Sequence, residues 1–542
     1  MKNIRIALLA ATTAFVTPAY AQIPPTPPKL VIAISVDQFS ADLFDQYRPR
    51  FTAGMARLSQ GTVFRNSYES HAATETCPGH STLMTAWHPA HTGIIANNWV
   101  DQKAKRDDKN IYCAEDETVA GSTSDSYTAS PKHLKAPTLG DLLKKVSPAS
   151  RNVAVAGKDR AAIMMSGRSA DQRWYWNGKT FVTDQKDRPV PAVVTQFNAA
   201  LDKALAEPRT AMVAPDWCAG KDKPYTLAPG LTVGDGKFAR DANDPKAFRI
   251  SPDFDGAILA LSAAMIGDMK LGQGPATDII SVGLSATDYI GHALGPGGGE
   301  MCIQMAALDQ QLGNFFDVLD KSGIDYAVVL TADHGGLDIP ERLADRGNTQ
   351  AARVDPALQA SEVGKIVGGT LGLQGPVILG SGTAGEFWIS DKLSAADKKR
   401  VLDRALAIYR AHPQVYAAYA KAQVAKTPMP SGDPREWNVL QKLRASFDPE
   451  RSGDYMVVLK PYIMPIPVPT KGYTATHGSA WDYDRRVPII LWRKGMTPSN
   501  RDDWGDTVDI MPTLAAEIAL PLAKDSTDGR CLANVEGINC PN

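Results

Sequence analysis

Six side chains draw attention first, because each lies at one end of a short apolar run. Asp37 follows Leu30 to Val36. Asp288 and His292 are four apart in Ser285-Ala286-Thr287-Asp288-Tyr289-Ile290-Gly291-His292. Asp333 and His334 follow Val328-Val329-Leu330, and His477 lies in Thr476-His477-Gly478-Ser479, ahead of Pro488 to Trp492. Neutral imidazole nitrogen and carboxylate oxygen are donors that zinc accepts. Three histidines and three aspartates are too many for one tetrahedral ion and suit two, each with room for substrate or nucleophile. Taken singly, an aspartate at a strand end is an ordinary turn former or helix cap. The signal is the set, in this order along the chain.

A nucleophile is offered by Thr74-Glu75-Thr76-Cys77-Pro78-Gly79-His80-Ser81, with helical spacing starting just after it at Ser81. A hydroxyl at a helix N-terminus faces free backbone N–H groups and the positive end of the helix dipole, which suits a phosphoryl acceptor. Threonine is a weak nucleophile at neutral pH, and metal coordination is one way to lower its pKa. Alone, Thr76 would be read as a helix N-cap.

Such residues need a scaffold that brings them together. The runs Leu30 to Val36, Asn152 to Ala156, Ile279 to Leu284, Tyr326 to Leu330 and Pro488 to Trp492 are apolar on both faces, as strands of a covered parallel sheet must be. Between them lie helical patterns, such as Ile258, Leu261, Met265 and Met269 on one face, and a capping box opening at Ser394. Alternation of strand and helix predicts an α/β/α sandwich with a mostly parallel central sheet. Ligands of such sheets collect beyond the carboxyl ends of the strands, where these aspartates and histidines fall. Residues 160–255, with Trp174-Tyr175-Trp176, and residues 337–470, with Pro-rich connections, break the alternation and read as two large insertions. The aromatic trio suits packing better than stacking on an aromatic leaving group.

The order of these motifs resembles the alkaline phosphatase superfamily, in its nucleotide pyrophosphatase/phosphodiesterase-like branch. Within it the chain is most similar to phosphate-irrepressible bacterial alkaline phosphatases with a threonine nucleophile. The resemblance runs from Leu30 to about Leu520 and includes Val508-Asp509-Ile510-Met511-Pro512-Thr513. It implies one zinc held by Asp37, Thr76, Asp333 and His334 and a second by Asp288, His292 and His477. It further implies phosphoryl transfer to Thr76, then hydrolysis of the phosphothreonine. By the same match, Lys158 and Arg160 in Gly157-Lys158-Asp159-Arg160 point at non-bridging phosphate oxygens, and Asn97 donates a further hydrogen bond. A monoester dianion carries more uncompensated oxygen charge than a diester, so this basic pair favours phosphate monoesters.

Rival readings are a phosphodiesterase or nucleotide pyrophosphatase on the same scaffold, and a non-catalytic zinc-binding periplasmic protein. A sulfatase fails, because Cys77-Pro78-Gly79-His80 lacks the Cys-x-Pro-x-Arg pattern of those relatives. His80 is expected to orient the start of its helix, while His71, His88, His91, His133 and His412 have no companion pattern. No EF-hand spacing supports an added calcium ion.

Lys2 and Arg5, the apolar run Ile6 to Val16 and Ala19-Tyr20-Ala21 read as a signal peptide over 1–21, cut before Gln22, and too short to span a membrane. Residues 22–29 are a Pro-rich tether, 30–525 a single catalytic domain and 526–542 a tail. Export to the periplasm or medium makes disulfides expected of the six cysteines. Sequence-order pairing joins Cys77 to Cys113, Cys218 to Cys302 and Cys531 to Cys540, one of roughly fifteen possible arrangements. With 58 Lys+Arg against 59 Asp+Glu, the net charge of −1 excludes the basic excess of a nucleic-acid binder. The cationic charge that a phosphate ester needs must therefore be local.

Overall fold

Leu30–Val36 is buried along its whole length, which a strand achieves only in the middle of a sheet covered on both faces. The computed structural model, which describes residues 26–523 and 526–541, places it there. The signal segment 1–21 and the first part of the tether lie outside the described residues. Leu30–Val36 pairs in parallel with Asp278–Leu284 on one side and Tyr326–Thr331 on the other. Val36 lies beside Leu284 and Ser35 beside Thr331, so the three strands end at one level. The residues after each strand therefore emerge side by side.

Among the described residues, nine strands form the main sheet, and its topology is mostly parallel. Leu30, Ile32, Ile34 and Val36 face a layer that includes Pro252–Asp268 and Gly299–Ser322. Val31 and Ala33 face the opposite layer, with Leu139–Val146 and Ile510–Glu517. This is the α/β/α sandwich. Each fully buried Leu, Ile or Val contributes roughly 1.5–3 kcal/mol to the burial that drives it.

One central strand runs backwards. Arg486–Arg493 is antiparallel to Tyr326–Thr331 and to Thr62–Tyr68. Its amino end consequently lies at the carboxyl edge of its neighbours, and His477, which precedes it, arrives at the same edge as the residues that follow the parallel strands.

The two irregular stretches behave differently. Residues 160–255 contribute Gln172–Trp176 and Phe181–Val182 to the edge of the main sheet. Trp176 packs against Phe181, Phe248 and Phe254, so its ring belongs to the core. Residues 337–470 build a separate four-stranded sheet, Ile378–Leu379, Gly385–Ile389, Tyr455–Leu459 and Val415–Ala420 in that order, over a core of Val363, Val401, Tyr409 and Tyr455. Ser394 caps Ala395–Ala411 by accepting from the Asp397 amide.

Disulfides join Cys77 to Cys113, Cys218 to Cys302 and Cys531 to Cys540, in sequence order. No helix among the described residues is long and apolar enough to cross a membrane.

Candidate active site

The six metal-type side chains divide in space into two groups. Asp288, His292 and His477 form one, and Asp37, Asp333 and His334 the other; within each, one donor atom per residue lies within 4.8 Å of the rest. Asp288 and His292 share a face of Ala286–Leu294 because they are one helical turn apart. That helix is anchored by Asp255, whose carboxylate accepts from the amides of Ser285 and Ala286 at 2.8 and 2.9 Å.

Backbone carbonyls orient the three rings. His292 Nδ1 lies 2.9 Å from the Ala475 oxygen, His477 Nδ1 2.8 Å from that of Thr74, and His334 Nδ1 2.8 Å from that of Gly335. A proton held at Nδ1 leaves Nε2 as a free base facing the carboxylates, the tautomer that binds metal. Burial pulls the His292 and His334 imidazoliums down to about 4 and about 3, which favours the neutral rings. At His477 the Asp288 carboxylate outweighs burial and moves the ring upward instead.

The carboxylates are equally confined. Burial, followed by repulsion from Asp288 and Asp333, pushes the Asp37 carboxyl well above its usual range. Asp333 is also fully buried, yet the His334 and His80 rings override that cost and hold it well below. Asp37 Oδ1 and His334 Nε2 have no hydrogen-bond partner among the described residues. This unpartnered carboxylate oxygen and imidazole nitrogen, buried close together, are what a divalent cation would satisfy, and the donor set fits zinc.

Thr76 opens the helix Thr76–Leu83 as its first residue, five positions before the spacing at Ser81 suggested. Pro78 obscures the start in sequence, yet proline is tolerated in a first turn, where its missing N–H is not needed. Every residue of this helix is buried. A Cβ at Gly79 would fall on the carbonyl oxygen of Asp333, so only glycine lets the helix approach the metal-type residues this closely.

Lys158 Nζ lies 3.3 Å from Thr76 Oγ1, 2.6 Å from Asp37 Oδ2 and 2.5 Å from Asp288 Oδ2. Burial works against its charge, but Asp288 and Asp37 outweigh it and hold the ammonium above the ordinary lysine range. The amide of Asn97 has one end fixed, since its Oδ1 accepts from the Cys77 N–H at 2.8 Å, leaving the NH₂ to donate. Arg160 stands in the first turn of Asp159–Ser166, its Nη1 at 3.4 Å from the Tyr112 hydroxyl and its nearest partner not Thr76.

Gln38, Tyr112 and Tyr127 support the site without a sequence signal, while His80 is the residue expected to orient the start of its helix. Gln38, at φ 65°, donates its backbone N–H to Asp333 and its side-chain NH₂ to Asp288, tying the two groups together. Asp159 accepts from the hydroxyls of Tyr112 and Tyr127, both at 2.7 Å, which fixes the turn carrying Arg160. His80 Nδ1 lies 2.9 Å from the Thr76 carbonyl and 3.0 Å from Asp333 Oδ2, so it links the Thr76 backbone to a metal-type carboxylate.

Comparison with known proteins places the chain in a family. The profile of the type I phosphodiesterase / nucleotide pyrophosphatase family matches residues 31–478. Alkaline phosphatase PhoK of Sphingomonas sp is 52% identical over 555 residues, covering 99% of this chain and 98% of its own. Alkaline phosphatase PhoD of Zymomonas mobilis subsp. mobilis is 44% identical over 519 residues, covering 95% and 89%. The crystal structure of wild-type alkaline phosphatase PafA superposes with a TM-score of 0.79 over 91% of this chain and 96% of that one, at 22% identity, a likeness of fold. Matched along most of its length by both profile and relatives, the chain belongs to the type I phosphodiesterase / nucleotide pyrophosphatase family of the alkaline phosphatase superfamily.

Proposed function

We propose that this protein is an alkaline phosphatase that hydrolyses small phosphate monoesters through a phosphothreonine at Thr76, at a site holding two zinc ions. The observation that carries the reading is the meeting of Thr76 Oγ1 and Lys158 Nζ at 3.3 Å, between a buried and a partly buried triad of metal-type donors. The relatives printed as alkaline phosphatases support the same reaction.

Asp37, Asp333 and His334, with Thr76, would hold one zinc, and Asp288, His292 and His477 the other. Bound zinc supplies Lewis acidity, which favours an ionised hydroxyl and offsets charge on the attacking and leaving oxygens. Thr76 Oγ1 forms its bond to phosphorus as the bond to the ester oxygen breaks, and water later displaces Thr76. Lys158 Nζ, Arg160 and the Asn97 NH₂ donate to the non-bridging oxygens and hold the ester in line. Asn97 and Arg160 need little reorganisation, because the Cys77 amide holds the Asn97 side chain and Asp159 fixes the turn that carries Arg160.

A phosphodiesterase is the second reading, since the family profile carries that name. Lys158 and Arg160 weigh against it, as a diester offers their second cation little charge to bind. Activity favoured above neutral pH follows from the need for an ionised Thr76. Residues 30–525 are taken as one catalytic unit with insertions over 160–255 and 337–470. Three disulfides and the N-terminal segment 1–21 support export to the periplasm or medium.

The deciding experiment offers the enzyme an aryl phosphate and its methyl diester side by side, with and without chelator. Chelator-sensitive release from the monoester, well above the diester, is expected. Preference for the diester would install the second reading, and no turnover of either would remove both.

A further inference from the structure

Beside the nucleophile lies a cavity of about 650 Å³, lined by Lys158, Arg160, Tyr175, Lys186, Arg249 and Tyr289 among others. That volume holds a sugar- or nucleoside-sized group. Its charges are unevenly satisfied. Of its acidic wall residues, Asp159 is taken by two tyrosine hydroxyls, Asp184 is paired with Arg173 at 2.5 Å, and Asp125 is exposed.

Its arginines are not neutralised in the same way. Neither Arg160 nor Arg249 forms an ion pair among the described residues, and the Nε of each is buried without a hydrogen-bond partner. Arg249, the last residue of Pro245–Arg249, lays its guanidinium over the Tyr289 ring at 4.7 Å from the centroid. Lys158 Nζ lies 5.1 Å from the same centroid. The cation that faces Thr76 and a second cation with no anion of its own thus share one aromatic ring.

We propose that Arg249 forms a second anion subsite, which binds a phosphate or carboxylate elsewhere on the substrate and favours bisphosphorylated small molecules over monophosphorylated ones. The inference rests on reading Lys158 and Arg160 as ligands of the scissile phosphate. The stacked guanidinium is pre-oriented by Tyr289, so its fork is presented to an anion at little conformational cost. Arg249 belongs to the stretch 160–255, which also supplies Arg160, so that stretch would bear on substrate choice.

The test uses the zinc-loaded enzyme with glucose 6-phosphate and glucose 1,6-bisphosphate, comparing wild type, Arg249→Met and Arg249→Lys. Wild type should prefer the bisphosphate in kcat/KM by about tenfold, a gain typical of one charge-assisted contact. Arg249→Met should lose that preference while keeping its rate on the monophosphate, and Arg249→Lys should retain part of it. Equal losses on both esters in both variants, or no loss in either, would overturn the subsite. Binding of the two sugars to Thr76→Ala, by calorimetry, separates this inference from the reaction itself. If wild type turned over neither ester, the proposed function would fall. The subsite would then stand or fall on whether adding Arg249→Met weakens bisphosphate binding about tenfold.

Discussion

The ammonium of Lys158 lies 3.3 Å from the hydroxyl oxygen of Thr76, so the proposed phosphate-reading group and the proposed attacking group are in register before substrate arrives. Lys158→Ala should therefore lower kcat/KM on an aryl phosphate about a hundredfold, the scale of losing one preorganised donor. The methyl diester, with less charge on its free oxygens, should lose less than about tenfold. Steady-state rates on both esters check this; equal losses would mean that Lys158 does not discriminate the dianion.

The same ammonium bridges Asp37 and Asp288, one carboxylate from each triad. Its charge offsets the repulsion between the two acids. Chelation should lower the melting temperature of wild type by several degrees, since ligands that bind only the folded state stabilise it. In Lys158→Ala the chelator-induced drop should be larger, with bare carboxylates left facing one another. Differential scanning fluorimetry with and without chelator decides it, and an equal drop in the two proteins would refute the bridging role.

Both half-cystines of one disulfide hold Asn97. The Cys77 amide donates to its side-chain oxygen at 2.8 Å and the Cys113 amide to its backbone oxygen at 2.9 Å. Replacing both cysteines by serine should raise KM for the monoester about threefold to tenfold, since one neutral hydrogen bond loosens. It should also cost about 3 kcal/mol of stability from the freed loop. Unchanged KM alongside the stability loss would assign the bond a purely structural role.

Asp509 sits fully buried near the helix Thr76–Leu83; burial, then the charge of Asp506, pushes its carboxyl up to about 7. The folded chain therefore keeps a proton that an unfolded aspartate, near 3.8, has already lost. Stability from this group is complete at low pH and declines as pH rises between those two values. Asp509→Asn should flatten the slope of unfolding free energy against pH in that window. Denaturant melts across it give the readout, and an unchanged slope would contradict the elevated value.

Much of this arrangement was legible in the chain because it lies in side chains directly after buried strands. Leu30–Val36 and Asn152–Ala156 have the bounds their apolar runs suggest, and the aspartates and histidines beyond the runs converge. Thr62–Tyr68 was hidden by Arg65 and Asn66, which interrupt its apolar pattern where the ladder is irregular. Ser499–Asp506 was hidden because it is an edge strand with a polar sequence. The supporting contacts of the site were unreadable for another reason. Gln38 acts through a left-handed backbone turn, and Tyr112, Tyr127 and Asp159 meet only after distant segments fold together. Periodicity reports burial, and neither kind of contact leaves a period.

The reversed strand Arg486–Arg493 bears on when the centre comes into being. The strands leading to Asp37, Asp288 and Asp333 are already present in a chain that has emerged as far as His334, and they can pair in parallel with one another. His477 is carried to them only by a strand that must run in from the opposite direction, after the whole second sheet has been made. A chain emerging amino end first thus completes one donor triad early and the other late. The proposed two-ion centre would be finished only after Arg486–Arg493 has docked, so a chain made only as far as His334 would lack part of the donor set.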